Sequence, residues 1–254
     1  MTNATKKLAI VTGASSGIGR ATAVQLSEQG WNVIAVARRA ERLRKLADEI
    51  GCHTYAADLS QEDAVQGLLE YAATIGHVDA LVNNAGGARG VDSVADAQTE
   101  RWQTMYELNV MTALRMTRAF LPQMREKGGT VVFVTSTAAH DTYPGGAGYV
   151  AAKHAERMIP LTLRQELVGE PVRIIEIAPG MVHTEEFSLN RLGSREAADA
   201  VYAGVNKPLI AEDVAEAITW TINLPDHVNI DSMIIRPVEQ GTNTLTRRMG
   251  SKGE

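Results

Sequence analysis

Short apolar runs alternate with longer amphipathic segments along the whole chain. Leu8-Ala9-Ile10-Val11 leads into a glycine-containing turn, Thr12 to Gly19. A helix-forming stretch, Ala21 to Gln29, follows and ends at Gly30. Asn32 to Ala37 predicts a second strand, Glu41 to Ile50 a charged surface helix, and His53 to Ala57 a third strand that ends at Asp58. Asp63 to Thr74 predicts another helix and Asp79 to Val82 a fourth strand. Thr130 to Thr135 is apolar and β-branched, as a buried parallel strand is. Val172 to Ala178 and Asp231 to Arg236 complete seven strands. Strands alternating with helix-length segments predict βαβ units, a parallel sheet with right-handed crossovers, and helices on both faces.

One helical stripe contains a misfit. Trp102, Tyr106, Asn109, Ala113, Met116 and Phe120 share a face between Thr99 and Phe120. Five suit burial and Asn109 does not. A buried amide is costly without partners, so Asn109 either ties down local backbone or reaches a functional site. Pro160, inside the helix that begins near Tyr149, removes a hydrogen bond to the Glu156 carbonyl and predicts a kink.

Composition narrows the class. The 254 residues are 44% hydrophobic and 22% charged, ordinary values for one globular α/β domain. No linker or repeat divides residues 1–254. A net charge of −5 argues against nucleic-acid and anionic-membrane partners. Cys52 is the one cysteine, which suits a reducing compartment, and no histidine spacing suggests a metal site. The polar N-terminus and the short run after it predict a cytoplasmic protein.

The chemistry gathers in three places. Gly13, Ser15, Ser16, Gly17, Ile18 and Gly19 lie between the first strand and the first helix, where backbone N–H groups and a helix N-terminus can cradle a pyrophosphate. The second strand ends in Arg38-Arg39 with no acid until Glu41. Guanidiniums there suit a ribose 2′-phosphate, so NADP is expected rather than NAD. Finally, Tyr149 and Lys153 are one helical turn apart. An ammonium beside a phenol favours the phenolate, which would lower the tyrosine pKa from about 10 towards neutrality. Ser136, at the end of the fifth strand, could hold a substrate oxygen. Taken alone, such a Tyr–Lys pair also occurs on exposed helix faces.

Thr12-Gly13-x-x-x-Gly17-Ile18-Gly19, Asp58, Asn83-Asn84-Ala85-Gly86, Asn109, Ser136, Tyr149-x-x-x-Lys153 and Pro179-Gly180 occur in the order and spacing of one family. In these features the sequence resembles the short-chain dehydrogenase/reductase family. The resemblance implies a Rossmann-like, doubly wound fold. It also implies a catalytic set of Ser136, Tyr149, Lys153 and Asn109, in which Asn109 anchors a water beside Lys153. Asp58 and Leu59 would then border the adenine, Asn84, Ala85 and Gly86 the ribose, and Pro179, Gly180, Val182 and Thr184 the nicotinamide. A metal is not needed. The tail from Leu224 to Gln240, together with Phe187 and Arg191, resembles the NADP-dependent 3-hydroxy acid (serine) dehydrogenases and related carbonyl reductases. A small 3-hydroxy acid is therefore the expected substrate. A neutral hydrophobic ketone or aldehyde is the alternative, and a catalytically silent nucleotide sensor a second. His140, Tyr143, His183, Phe187 and Arg191 are the expected substrate residues, under a lid spanning 181–207. Family likeness further implies a homo-oligomer, most often a tetramer, joined through the Thr99–Phe120 and Tyr149–Leu167 helices. Residues 241–254 read as a polar tail.

Overall fold

The computed structural model describes residues 6–249; the last five residues of the polar tail lie outside it. The chain runs through strand β1 (Leu8–Thr12), helix α1 (Gly17–Glu28), β2 (Asn32–Ala37), α2 (Ala40–Ile50), β3 (His53–Ala56), α3 (Glu62–Ile75) and β4 (Val78–Asn83). Next come α4 (Thr99–Tyr106), a π-helical turn (Glu107–Met111), α5 (Thr112–Lys127), β5 (Gly129–Val134), a 3-10 turn (Thr137–Ala139) and α6 (Ala147–Glu166). The last third holds β6 (Val172–Pro179), β7 (Val182–His183), α7 (Phe187–Leu192), α8 (Arg195–Ala200), β8 (Leu209–Ile210), α9 (Ala211–Ile222) and β9 (Ser232–Ile235).

Seven strands form one parallel sheet in the order β3-β2-β1-β4-β5-β6-β9. Successive strand residues point to opposite faces, and both faces are covered. Ala9 and Val11 of β1 pack with Leu26, Leu43, Leu46, Val214 and Ile218 of α1, α2 and α9. Leu8 and Ile10 pack on the other side with Leu68, Met116, Phe120 and Leu163 of α3, α5 and α6. This explains why the strands read as unbroken apolar runs. The strand order reverses between β1 and β4. A crevice opens at the carboxyl ends of the strands at such a switch point.

The expected helix from Thr99 to Phe120 is interrupted by the π turn. The wider turn breaks the stripe: Tyr106 is 47% exposed, whereas Asn109 is fully buried. Helix α6 continues through Pro160 to Glu166. Among the described residues, no helix is long and apolar enough to cross a membrane.

Candidate active site

At the end of β1, the Thr12 hydroxyl donates to the Val82 carbonyl at 3.1 Å and accepts from the N–H groups of Asn84 and Ala85 at 2.9 Å each. These bonds lock the glycine turn to the end of β4. Gly13 and Gly17 have φ of +68° and +52°, a region costly for residues with a Cβ. A Cβ on Gly19 would lie 2.6 Å from the Gly13 carbonyl oxygen and 2.5 Å from Asn84 Nδ2, so this close approach of helix to turn requires glycine. The first turn of α1 has no acidic residue, and Ser16 at its N-cap makes no side-chain cap. The N–H groups there face the crevice with a favourable dipole for an anion.

Beside them is a cluster of anion-binding donors. Arg39 donates to Ser15 Oγ at 2.7 and 3.1 Å and to Ser16 Oγ at 3.0 Å, and it pairs with Glu186. Arg42 reaches the same carboxylate at 2.6 Å, and Ser16 Oγ donates to it at 3.0 Å. The hydrogen bond from Arg39 holds the Glu186 carboxyl below its usual range, with Ser16 and the charge of Arg42 adding to the effect against burial. A carboxylate held by two guanidiniums and a hydroxyl is a stand-in anion: this donor set fits a phosphate. Arg42 and Glu186 were missed in the sequence. Arg42 lies in the first turn of α2, three residues after Arg39 at the cap of that helix, and both reach Glu186. Arg38 is exposed and lines the same cavity.

The cavity has a volume of about 700 Å³. Its walls include Gly13, Ser15, Ser16, Gly17, Ile18, Arg38, Arg39, Asp58, Leu59, Asn84, Ala85 and Gly86 on one side. Ser136, Tyr143, Tyr149, Lys153, Pro179, Gly180, Val182, Thr184, Phe187 and Arg191 line the remainder. Gly19, Asn109, His140 and His183 do not line it.

Ser136 follows β5, and its Oγ accepts from Ala138 N–H at 3.1 Å. Tyr149 and Lys153, both buried, project from the first turns of α6, with Lys153 Nζ 5.9 Å from the tyrosine ring centroid. The ammonium donates to the Val134 carbonyl at 3.0 Å and to Glu156 Oε2 at 2.6 Å. One sequence expectation needs correction here. Burial pushes the Tyr149 phenol above its usual value; Lys153 and a hydrogen bond with Ser136 push it down without cancelling the effect. Desolvation is the larger effect, and the spacing of Tyr149 and Lys153 alone does not reveal it. Burial works against the Lys153 ammonium too, but Glu156 and Tyr149 outweigh it and hold the pKa above its usual value.

Asn109 donates both amide hydrogens to backbone, to the Gly87 carbonyl at 2.9 Å and the Met105 carbonyl at 2.7 Å, and accepts from Gly87 N–H at 3.1 Å. Its amide braces the loop after β4 against the π turn. Of the two readings open from sequence, the structure displays the backbone tie. No water is needed to satisfy the amide hydrogens. A Cβ on Gly86 would lie 2.5 Å from Asn109 Oδ1 and 3.6 Å from Lys153 Nζ, so glycine here leaves room for both side chains.

Two of the expected substrate residues sit elsewhere. His140 turns inward to the buried Glu176, Nε2 to Oε1 at 3.0 Å. His183 is exposed and packs on Tyr202 with centroids 4.4 Å apart. Arg191, in contrast, lies over two rings of the cavity, 5.3 Å from the Tyr143 centroid and 5.9 Å from that of Tyr149. Phe187 meets Tyr149 edge-on at 5.6 Å. The 181–207 segment is tied across the crevice: Gly90 N–H donates to the Arg191 carbonyl at 2.9 Å, and Glu186 reaches Arg39 and Arg42. Among the described residues, no His, Cys, Asp or Glu group could hold a metal.

A family model described as short chain dehydrogenase matches residues 7–192. An uncharacterized oxidoreductase of Mycobacterium tuberculosis (strain ATCC 25618 / H37Rv) is 53% identical over 239 residues, covering 93% of this chain and 93% of the relative. The NADP-dependent 3-hydroxy acid dehydrogenase YdfG of Escherichia coli (strain K12) is 40% identical over 238 residues, covering 92% and 96%. Among solved structures, the closed form of serine dehydrogenase complexed with NADP+ superimposes with a TM-score of 0.89 at 38% identity, covering 95% of this chain and 99% of that one.

Proposed function

The chain belongs to the short-chain dehydrogenase family, and we propose that within it this protein is an NADP(H)-dependent oxidoreductase that interconverts a small 3-hydroxy acid and its carbonyl counterpart. Family membership makes it an oxidoreductase. NADP is supported by the NADP+ in the serine dehydrogenase structure and by the name of the Escherichia coli relative. It is also supported by the Ser15, Ser16, Arg39 and Arg42 cluster, which already holds a carboxylate. Gly13 through Gly19 would receive the pyrophosphate, and Arg38, Arg39 and Arg42 the 2′-phosphate. Asp58 and Leu59 would border the adenine. Asn84, Ala85, Gly86, Tyr149 and Lys153 would lie along the ribose, and Pro179, Gly180, Val182 and Thr184 beside the nicotinamide.

When bound, NADP(H) accepts or donates the hydride. The chain manages the proton and the charge. Tyr149 gives its phenolic proton to the substrate oxygen in reduction and accepts one in oxidation. Ser136 donates a hydrogen bond to that oxygen as charge develops on it. Lys153 offsets part of the desolvation that disfavours the phenolate. Asn109 acts through the Gly87 loop.

The substrate class rests on Arg191. Its guanidinium, over the Tyr149 ring at 5.9 Å, is within reach of a carboxylate whose hydroxyl-bearing carbon lies at the phenol. A charge-assisted bond of this kind contributes about 1.5–3 kcal/mol, a factor of roughly 10 to 100. Arg191→Ala is expected to lose that much more kcat/KM on a 3-hydroxy acid than on a neutral secondary alcohol. Equal losses would reject the anchor and favour neutral ketones or aldehydes, for which Phe187 and Tyr143 supply apolar walls. A cytoplasmic homo-oligomer completes the proposal; exposed Tyr106, Leu114 and Met158 on α4, α5 and α6 support self-association.

A further inference from the structure

The mechanism above leaves a buried charge unused. Glu156 lies one turn beyond Lys153 on α6 and is 1% exposed, while Lys153 is 4% exposed. The carboxylate meets the ammonium at 2.6 Å. Lys153 needs no carboxylate for anchoring alone, because the Val134 carbonyl also accepts from it at 3.0 Å. An ionised group buried this deeply costs free energy that an apolar residue of similar size would not.

The surroundings leave Glu156 to Lys153. The nearby buried acid, Glu176 of β6, is answered by other partners: Thr135 Oγ1 after β5 at 2.7 Å, Ser232 Oγ of β9 at 2.8 Å, His140 Nε2 beyond the 3-10 turn at 3.0 Å and Arg157 Nε of α6 at 3.5 Å. The hydrogen bonds from Thr135, Ser232 and His140, with the charge of His140, outweigh burial and keep Glu176 below its usual range. Tyr149, one turn before Lys153 on the same helix, has its ring centroid 5.9 Å from the ammonium.

We propose that Glu156 is a positioning residue of the reaction: its carboxylate fixes the Lys153 ammonium, offsets its charge, and so sets the pH at which Tyr149 exchanges its proton. With Glu156 ionised, Tyr149 faces a neutralised pair and holds its proton more tightly. With Glu156 neutral, it faces a full positive charge. Burial pushes Glu156 up to about 7, with Lys153 opposing and Glu176 adding. This inference rests on the proposed role of Tyr149.

The test is Glu156→Gln, which keeps the shape and removes the charge. The Tyr149 phenolate is read as the near-ultraviolet difference between each protein and its own Tyr149→Phe counterpart across a pH titration. Losing the opposing carboxylate is expected to lower the phenolate midpoint by about one pH unit, and to move the pH profile of kcat/KM for alcohol oxidation with it. Glu156→Asp retracts the charge and is expected to shift both the same way by less. Superimposable titrations of wild type and Glu156→Gln would overturn the inference. If the glutamine variant fails to fold, an unshifted aspartate variant would overturn it instead. Tyr149→Phe separates the two readings. It is expected to lose roughly 10²- to 10⁴-fold in kcat. Wild-type turnover in it would reject the acid–base assignment. An inactive Tyr149→Phe with an unmoved Glu156→Gln titration would reject the role of Glu156 alone.

Discussion

Glu186 fills the donor cluster that a 2′-phosphate would need. Its carboxylate is bound by Arg39, Arg42 and Ser16, so a phosphate must displace it or share the guanidiniums with it. Partly exposed ion pairs of this kind contribute only about 0–1 kcal/mol each. Glu186→Gln is therefore expected to tighten NADPH binding by roughly threefold to tenfold, read as Kd by calorimetry. Weaker binding would mean that the carboxylate assists the cofactor rather than competing with it. At this scale the sequence was legible where a residue broke a rule. Arg39 stood out as a cation at a helix start, and Asn109 as an amide on an apolar stripe. Arg42 and Glu156 broke none: the first reads as a solvated helix cation, and the second as an ordinary i,i+3 partner of a lysine. Their contacts depend on burial and on what the segment 181–207 brings across. His140 and His183 lie outside the cavity lining for a related reason. Local pattern does not say which way a loop side chain turns, and Glu176 and Tyr202 decided it.

Helices α4 to α6 connect the site to the outer surface. The π turn carries Asn109 inward to hold the Gly87 backbone and leaves Tyr106 exposed. A π turn accommodates one residue more than an α turn, and composition gives little sign of it. The apolar stripe was therefore legible as a helix while its register beyond Tyr106 was not. Leu114 and Met158 remain 41% and 47% exposed on α5 and α6. Their burial between copies is the expected use of that surface. Sedimentation equilibrium is expected to show an oligomer for the wild type and a smaller species for Leu114→Asp. A wild type at the mass of one chain would reject this.

The whole molecule was legible because its signals reinforce one another. Both faces of the sheet are covered, so its central strands appear as continuous apolar runs. The alternation of strands and helices predicted a parallel sheet; the strand order, with its reversal between β1 and β4, is seen in the structure. The least legible part was the segment 181–207. It reads as polar and irregular, yet it forms α7, α8 and, with β8, a short parallel pair through β7. Its fold depends on contacts with distant chain, including Gly90 and Arg39. The substrate is proposed to be selected there, with Arg191 facing Tyr149. The most direct measurement is the rate of nicotinamide reduction by a set of 3-hydroxy acids and matched neutral secondary alcohols, each with NADP+ and with NAD+. The account predicts turnover with NADP+, kcat/KM at least about tenfold above that with NAD+, and a 3-hydroxy acid as the best substrate. No turnover with any alcohol, or a preference for NAD+, would contradict it.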